Sequence, residues 1–215
     1  MKITYFIDYN CPYSYIGLQR IRKACESLDL DVEWEMKAFE IEPQAGKRSS
    51  MSIAERYVEK YDLSPEEASG KIREIENIAH EDGMEMNFKD ITLTSSKDAL
   101  RFTKYVQKYH PDVTLTLVGE IFKANMVENI NLTNIDILAD IAVSCGMDES
   151  EARKILENNY YNIEVFQDMK KATSLGITTT PCFILHENER ESLIMEFLST
   201  EEFENALNNL TVKQN

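Results

Sequence analysis

The chain predicts an α/β fold: a β-α-β unit at the start, an α-β-β-α unit at the end, and a large all-helical insertion between them. Three observations predict it. An apolar run over residues 2–7 is followed by a helix-patterned stretch over 12–29 and a second strand-like run over 31–39. More than a hundred residues after Pro43 then carry helical patterns only. Short strand-like segments return at 182–185 and 192–197, and an amphipathic helix closes the chain.

In the first helix, Ile16, Ile21, Ala24 and Leu28 recur at roughly helical spacing, which puts an apolar stripe on one face. Pro43, Gly46 and Lys47-Arg48-Ser49-Ser50 break the second strand. Ser64-Pro65-Glu66-Glu67 is a helix start, with a serine cap, proline at the first helical position and glutamate at the third; Ala68, Ile72, Ile75 and Ala79 follow on one face. Further amphipathic runs lie near 97–109, 112–126, 133–145, 148–158 and 161–175, with Gly146 and Gly176 as terminators. The late strands are joined by a polar turn over 186–191, and Thr200-Glu201-Glu202 opens a helix whose stripe is Phe203, Ala206, Leu207 and Leu210. The sheet domain therefore spans residues 1–42 and 161–215, and the helical insertion 43–160.

Chemistry concentrates at two points. Cys11-Pro12-Tyr13-Ser14 lies where the first strand gives way to the first helix. The unpaired N–H groups and positive macrodipole end of that helix favour a thiolate at Cys11, and Pro12 suits the first helical turn. Far downstream, Thr180-Pro181-Cys182 enters a core strand through a proline, which cannot donate to a sheet ladder. A cis Thr180–Pro181 bond would turn the chain sharply and leave backbone groups of Thr180 open to a partner.

The pairing of a CxxS turn with a late Thr-Pro resembles the thioredoxin superfamily, with a thioredoxin-like core divided by a helical insertion. Cys11-Pro-Tyr-Ser-Tyr-Ile-Gly17 is more narrowly similar to DsbA-like oxidoreductases of the FrnE type, whose usual spelling is CPWCYIG. Ser14 stands where those proteins carry a second cysteine. The related kappa-class glutathione transferases and 2-hydroxychromene-2-carboxylate isomerases typically read SPYS at this turn. The resemblance implies Cys11 as nucleophile, with Ser14 and Pro181 in the catalytic set and Pro12, Tyr13 and Thr180 meeting substrate, Thr180 through its backbone. It implies glutathione as a cosubstrate and no tightly bound cofactor. In the stretch Thr94-Ser95-Ser96-Lys97-Asp98-Ala99-Leu100-Arg101, Ser96, Ala99 and Arg101 match the family, but Leu100 replaces its histidine. Arg101 reads either as a carboxylate holder or as a surface ion pair.

A hydroxyl at Ser14 can donate to a thiolate but cannot attack a mixed disulfide, so turnover needs another thiol. Cys182 has two readings, a resolving thiol beside Cys11 or an inert buried residue turned away by strand alternation. Cys25 and Cys145 read as buried apolar residues. His80, His110 and His186 have no motif context, and the wide cysteine spacing does not suit a metal site.

Composition limits the partners. The 38 acidic against 23 basic residues give a formal net charge of −15, which disfavours nucleic acid and anionic membrane. No apolar run approaches the ~20 residues of a membrane span. The opening residues lead into a strand rather than a signal peptide, so a cytoplasmic setting is expected, with thiols and disulfides of proteins or small molecules as partners and a homodimer left open. Three functions compete: a thiol-disulfide oxidoreductase or isomerase, a glutathione-dependent isomerase or transferase, and a non-catalytic binding domain.

Overall fold

The computed structural model describes residues 1–47 and 51–211; Arg48, Ser49 and Ser50, read above as part of a chain break, lie outside the described residues. β1 (Lys2–Ile7), α1 (Pro12–Ser27) and β2 (Glu33–Ala38) form the opening unit. The helices α2 (Ile53–Tyr61), α3 (Pro65–Glu81), α4 (Lys97–Tyr109), α5 (Pro111–Met126), α6 (Ile135–Ser144) and α7 (Glu149–Leu156) follow, with a short 3-10 turn at Phe88–Asp90. Then come α8 (Asn162–Ser174), β3 (Cys182–Glu187), β4 (Arg190–Ile194) and α9 (Thr200–Thr211).

The four strands lie in the order β2-β1-β3-β4. β1 pairs parallel with β2 and antiparallel with β3, and β3 pairs antiparallel with β4. Tyr5 sits between Met36 and Phe183, and Phe6 opposite Cys182. The β3–β4 turn is shorter than the polar segment suggests: Asn188 takes φ +56, so the chain reverses at once and the polar residues on either side continue the ladder. β4 accordingly begins at Arg190 and ends at Ile194, leaving Phe197 outside the strand.

The insertion is not separately cored. One contiguous apolar cluster includes Ile3, Tyr5 and Ile16 of the sheet region together with Ile72, Phe102 and Phe122 of the inserted helices. A buried polar seam adds to the junction along the outer edge of β2. There, Met36 N–H donates to Gln107 Oε1 (2.5 Å), Lys104 Nζ donates to Met36 O (2.8 Å), and Ala38 N–H donates to Asp168 Oδ2 (3.0 Å). Lys104 and Asp168 are themselves paired at 2.9 Å. Side chains of α4 and α8 thus satisfy backbone groups that an uncovered edge strand would leave open.

Arg101 belongs to this scaffolding and is no surface ion pair. It is 2% exposed, and its guanidinium donates to the carbonyls of Ile155 (2.8 Å) and Leu156 (2.7 Å) while Nε meets Asp98 at 2.8 Å. The carbonyls at the end of α7, which lack helical partners, take up its planar donors.

Candidate active site

α1 begins at Pro12 with Cys11 as its N-cap, in extended backbone conformation and with no side-chain capping bond. The Thr180–Pro181 peptide is cis. The two segments, 169 residues apart, meet at the sulfur: Cys11 Sγ donates to Thr180 O at 3.2 Å. Cys11, Pro12, Tyr13 and Thr180 line one cleft of about 500 Å³.

Ser14 lies beneath this cleft, not in its wall: it is 0% exposed and its Oγ has no hydrogen-bond partner. Thr180 Oγ1 is likewise buried without a partner. The balance at Cys11 departs from what a helix start alone suggests. Burial raises the thiol pKa, and this outweighs the Thr180 contact and the Ser14 hydroxyl and amide, which pull it down; Asp8 adds to the rise. The sequence shows that a helix starts at Cys11 but not that the residue is only 5% exposed; with its pKa raised by burial, the resting group is a thiol donating to a carbonyl.

Asp8 fixes the loop before Cys11. Its carboxylate accepts from Asn10 N–H (3.0 Å) and Ile41 N–H (2.7 Å), and its carbonyl accepts from Cys11 N–H (3.0 Å). Burial raises its pKa against those bonds. Asn10 Nδ2 donates to Thr94 O (2.7 Å), and Asn125 Nδ2 donates to Tyr9 O (2.9 Å) and Asn10 Oδ1 (3.3 Å). The insertion therefore holds the loop before Cys11 from α5 and from the segment before α4.

Cys182 is elsewhere. It is 0% exposed in a second apolar cluster with Phe6, Phe39, Ala172 and Ile177, and burial pushes its pKa up to about 12. It lies inside β3 opposite Phe6, whereas Thr180 precedes the strand, on the far side of the cis Thr180–Pro181 bond, and lines the cleft. All four cysteines are free. Tyr13 packs edge-on against Phe197 at 4.8 Å between ring centroids, and Tyr15 stacks on Phe122 at 5.5 Å.

The cleft's far wall was not read from the sequence. It comes from the segment after β2, Phe39 to Glu42, and from α2, through Ile53, Arg56, Tyr57, Lys60 and Tyr61. Glu42 is clamped by Arg56 and by Lys60 at 2.6 Å, which draws its carboxyl pKa below the usual range despite burial. Ser52-Ile-Ala-Glu55, a reciprocal capping box in the structure, was the one local signal that could have located α2.

The chain belongs to the DSBA-like thioredoxin domain family, whose model matches residues 2–208. A curated relative, the uncharacterised protein YwbO of Bacillus subtilis (strain 168), is 26% identical over 192 residues, 86% of each chain. Among solved structures, a probable DsbA oxidoreductase from Streptomyces coelicolor superposes with TM-score 0.87 at 25% identity, covering 98% of this chain and 89% of that one. The cytosolic disulfide reductase DsbM from Pseudomonas aeruginosa, also solved with GSH, shares the fold (TM-score 0.65, 12% identity, 97% and 98% covered).

Proposed function

We propose that this chain is a thiol-disulfide oxidoreductase in which Cys11 is the single nucleophile and an external thiol completes turnover. The observation that carries this reading is the Cys11 sulfur at the α1 start, 3.2 Å from Thr180 O and open to a cleft. The Cys11 thiolate attacks one sulfur of a substrate disulfide, forms a mixed disulfide and expels the other sulfur as a thiolate, which takes a proton from water. Ser14 cannot resolve that intermediate, and Cys182 is buried away from the cleft. A thiolate of the glutathione type attacks the Cys11 sulfur and releases the substrate's second thiolate, and a second one then attacks the glutathione-side sulfur, forming glutathione disulfide and returning Cys11 as thiolate. Alternatively, a second thiolate of a protein substrate attacks the substrate-side sulfur and returns Cys11 directly. The first route is reduction by a cosubstrate and the second is isomerisation. The GSH complex of DsbM supports a glutathione-class thiol, and a cytosolic setting would supply it. Thr180, Pro12 and Tyr13, which line the cleft, meet the substrate, buried Pro181 sets the position of Thr180, and Ser14 stabilises the thiolate from below.

The test compares wild type with Cys11→Ser in glutathione-dependent reduction of a small disulfide and in reshuffling of a scrambled protein. Wild type is expected to be active in at least one assay, with Cys11→Ser at background. Equal behaviour of the two proteins in both assays would refute the assignment.

A further inference from the structure

Resting on that reading, we infer that Tyr57 is a catalytic residue of the exchange, donating a hydrogen bond to the departing sulfur across the cleft from Cys11. In thiol-disulfide exchange the attacking, central and leaving sulfurs lie nearly in line, so the leaving sulfur emerges on the side away from the nucleophile. The groups that attend Cys11 from within cannot reach it: Thr180 O offers an acceptor, and Ser14 Oγ is buried beneath the cysteine and outside the cleft. α2 lines the same cleft as Cys11. Tyr57 lies on its inner side, packed edge-on against Tyr61 at 5.1 Å and Phe88 at 6.0 Å, and charge on Cys11 is felt at its hydroxyl.

Tyr57 Oη has no protein hydrogen-bond partner among the described residues, whereas Tyr9 Oη and Tyr105 Oη are bonded to Thr103 and Glu151. Tyr61, on the same helix, is 52% exposed and so largely solvated. Burial holds the Tyr57 phenol protonated well beyond the range in which thiols ionise. It therefore acts as a donor and not as a base. The proton stays on the phenol while negative charge develops on the leaving sulfur, and the released thiolate is protonated by water.

The experiment uses Tyr57→Phe, which keeps the ring and its contacts. Exchange rates are compared with wild type for a dialkyl disulfide, whose leaving thiolate is basic, and for a nitro-substituted aryl disulfide, whose leaving thiolate is already stabilised. Cys11 alkylation by iodoacetamide, in which no sulfur leaves, serves as an internal measure of an intact site. A hydrogen bond to a charged atom predicts a loss of about 10- to 100-fold with the dialkyl disulfide. The aryl disulfide and the alkylation should change less than about threefold on the same basis. Equal loss with both disulfides, or no loss with either, overturns the role of Tyr57 while leaving Cys11 as nucleophile. Absence of exchange in wild type overturns the oxidoreductase reading itself.

Discussion

Gly17 and Pro181 are in contact across the α1–β3 junction: a Cβ placed on Gly17 would lie 3.0 Å from Pro181 Cγ and 3.6 Å from the Phe183 ring. The glycine of the CPYSYIG segment is thus where α1 lets the residue after Thr180 come close. That approach brings Thr180 O to the Cys11 sulfur.

Gly17→Ala tests this contact. Alanine improves helix propensity by about 1 kcal/mol, but overpacking a filled interior costs about 1–3 kcal/mol. We expect a net loss of up to about 2 kcal/mol by denaturant unfolding, and a rate of Cys11 alkylation altered because Thr180 O is displaced. Unchanged alkylation would show that Pro181 yields without moving Thr180.

Cys11 reactivity should rise late with pH. Burial raises its pKa above the ordinary thiol value near 9, and Thr180 and Ser14 oppose that rise. The pH profile of iodoacetamide labelling should therefore have its inflection above 9. Ser14→Ala should move it higher still, because it removes a donor to the anion. A downward move in Ser14→Ala would mean that the hydroxyl plays no such part.

The core thiols make stability fall in alkali. Burial raises Cys25 to about 11 and Cys182 to about 12, from an ordinary value of 9.0. Between the unfolded and folded values the folded chain holds protons that the unfolded chain has lost, so folding weakens as pH rises through that window. Their contribution is complete below pH 9 and declines from there towards 11–12. Unfolding midpoints measured from pH 8 upward should fall less steeply in a Cys25→Ala, Cys182→Ala double variant, whose starting stability is lower because two buried side chains are truncated.

The seam along β2 predicts strong non-additivity. Lys104→Met removes one of two cations beside buried Asp168, Lys37 remaining at 3.5 Å, together with the donor to Met36 O, and should cost less than the ~3–5 kcal/mol of a wholly uncompensated buried charge. Adding Asp168→Asn, which keeps an acceptor for Ala38 N–H, should recover part of that loss because the buried carboxylate charge is gone while Lys37 keeps Glu35 at 2.6 Å. A double-mutant cycle on urea unfolding measures the coupling, and simple additivity would show that the pair is not energetically linked.

Residue order by itself determined the β-α-β opening, the late strands, most of the inserted helices and the Cys11-Pro-Tyr-Ser and Thr180-Pro181 motifs, whose meeting is expected only from the family resemblance. Each of these rests on local periodicity, a cap, a breaker or a motif, all of which are written in neighbouring residues. Only the tertiary structure decided how deep the sulfur lies, that Cys182 turns away from it, that Arg101 ties carbonyls in the core, and that α2 carries Tyr57 to the cleft. Burial and cross-chain proximity depend on how distant segments pack, and desolvation at Cys11 outweighs the helix terminus that the motif alone reveals.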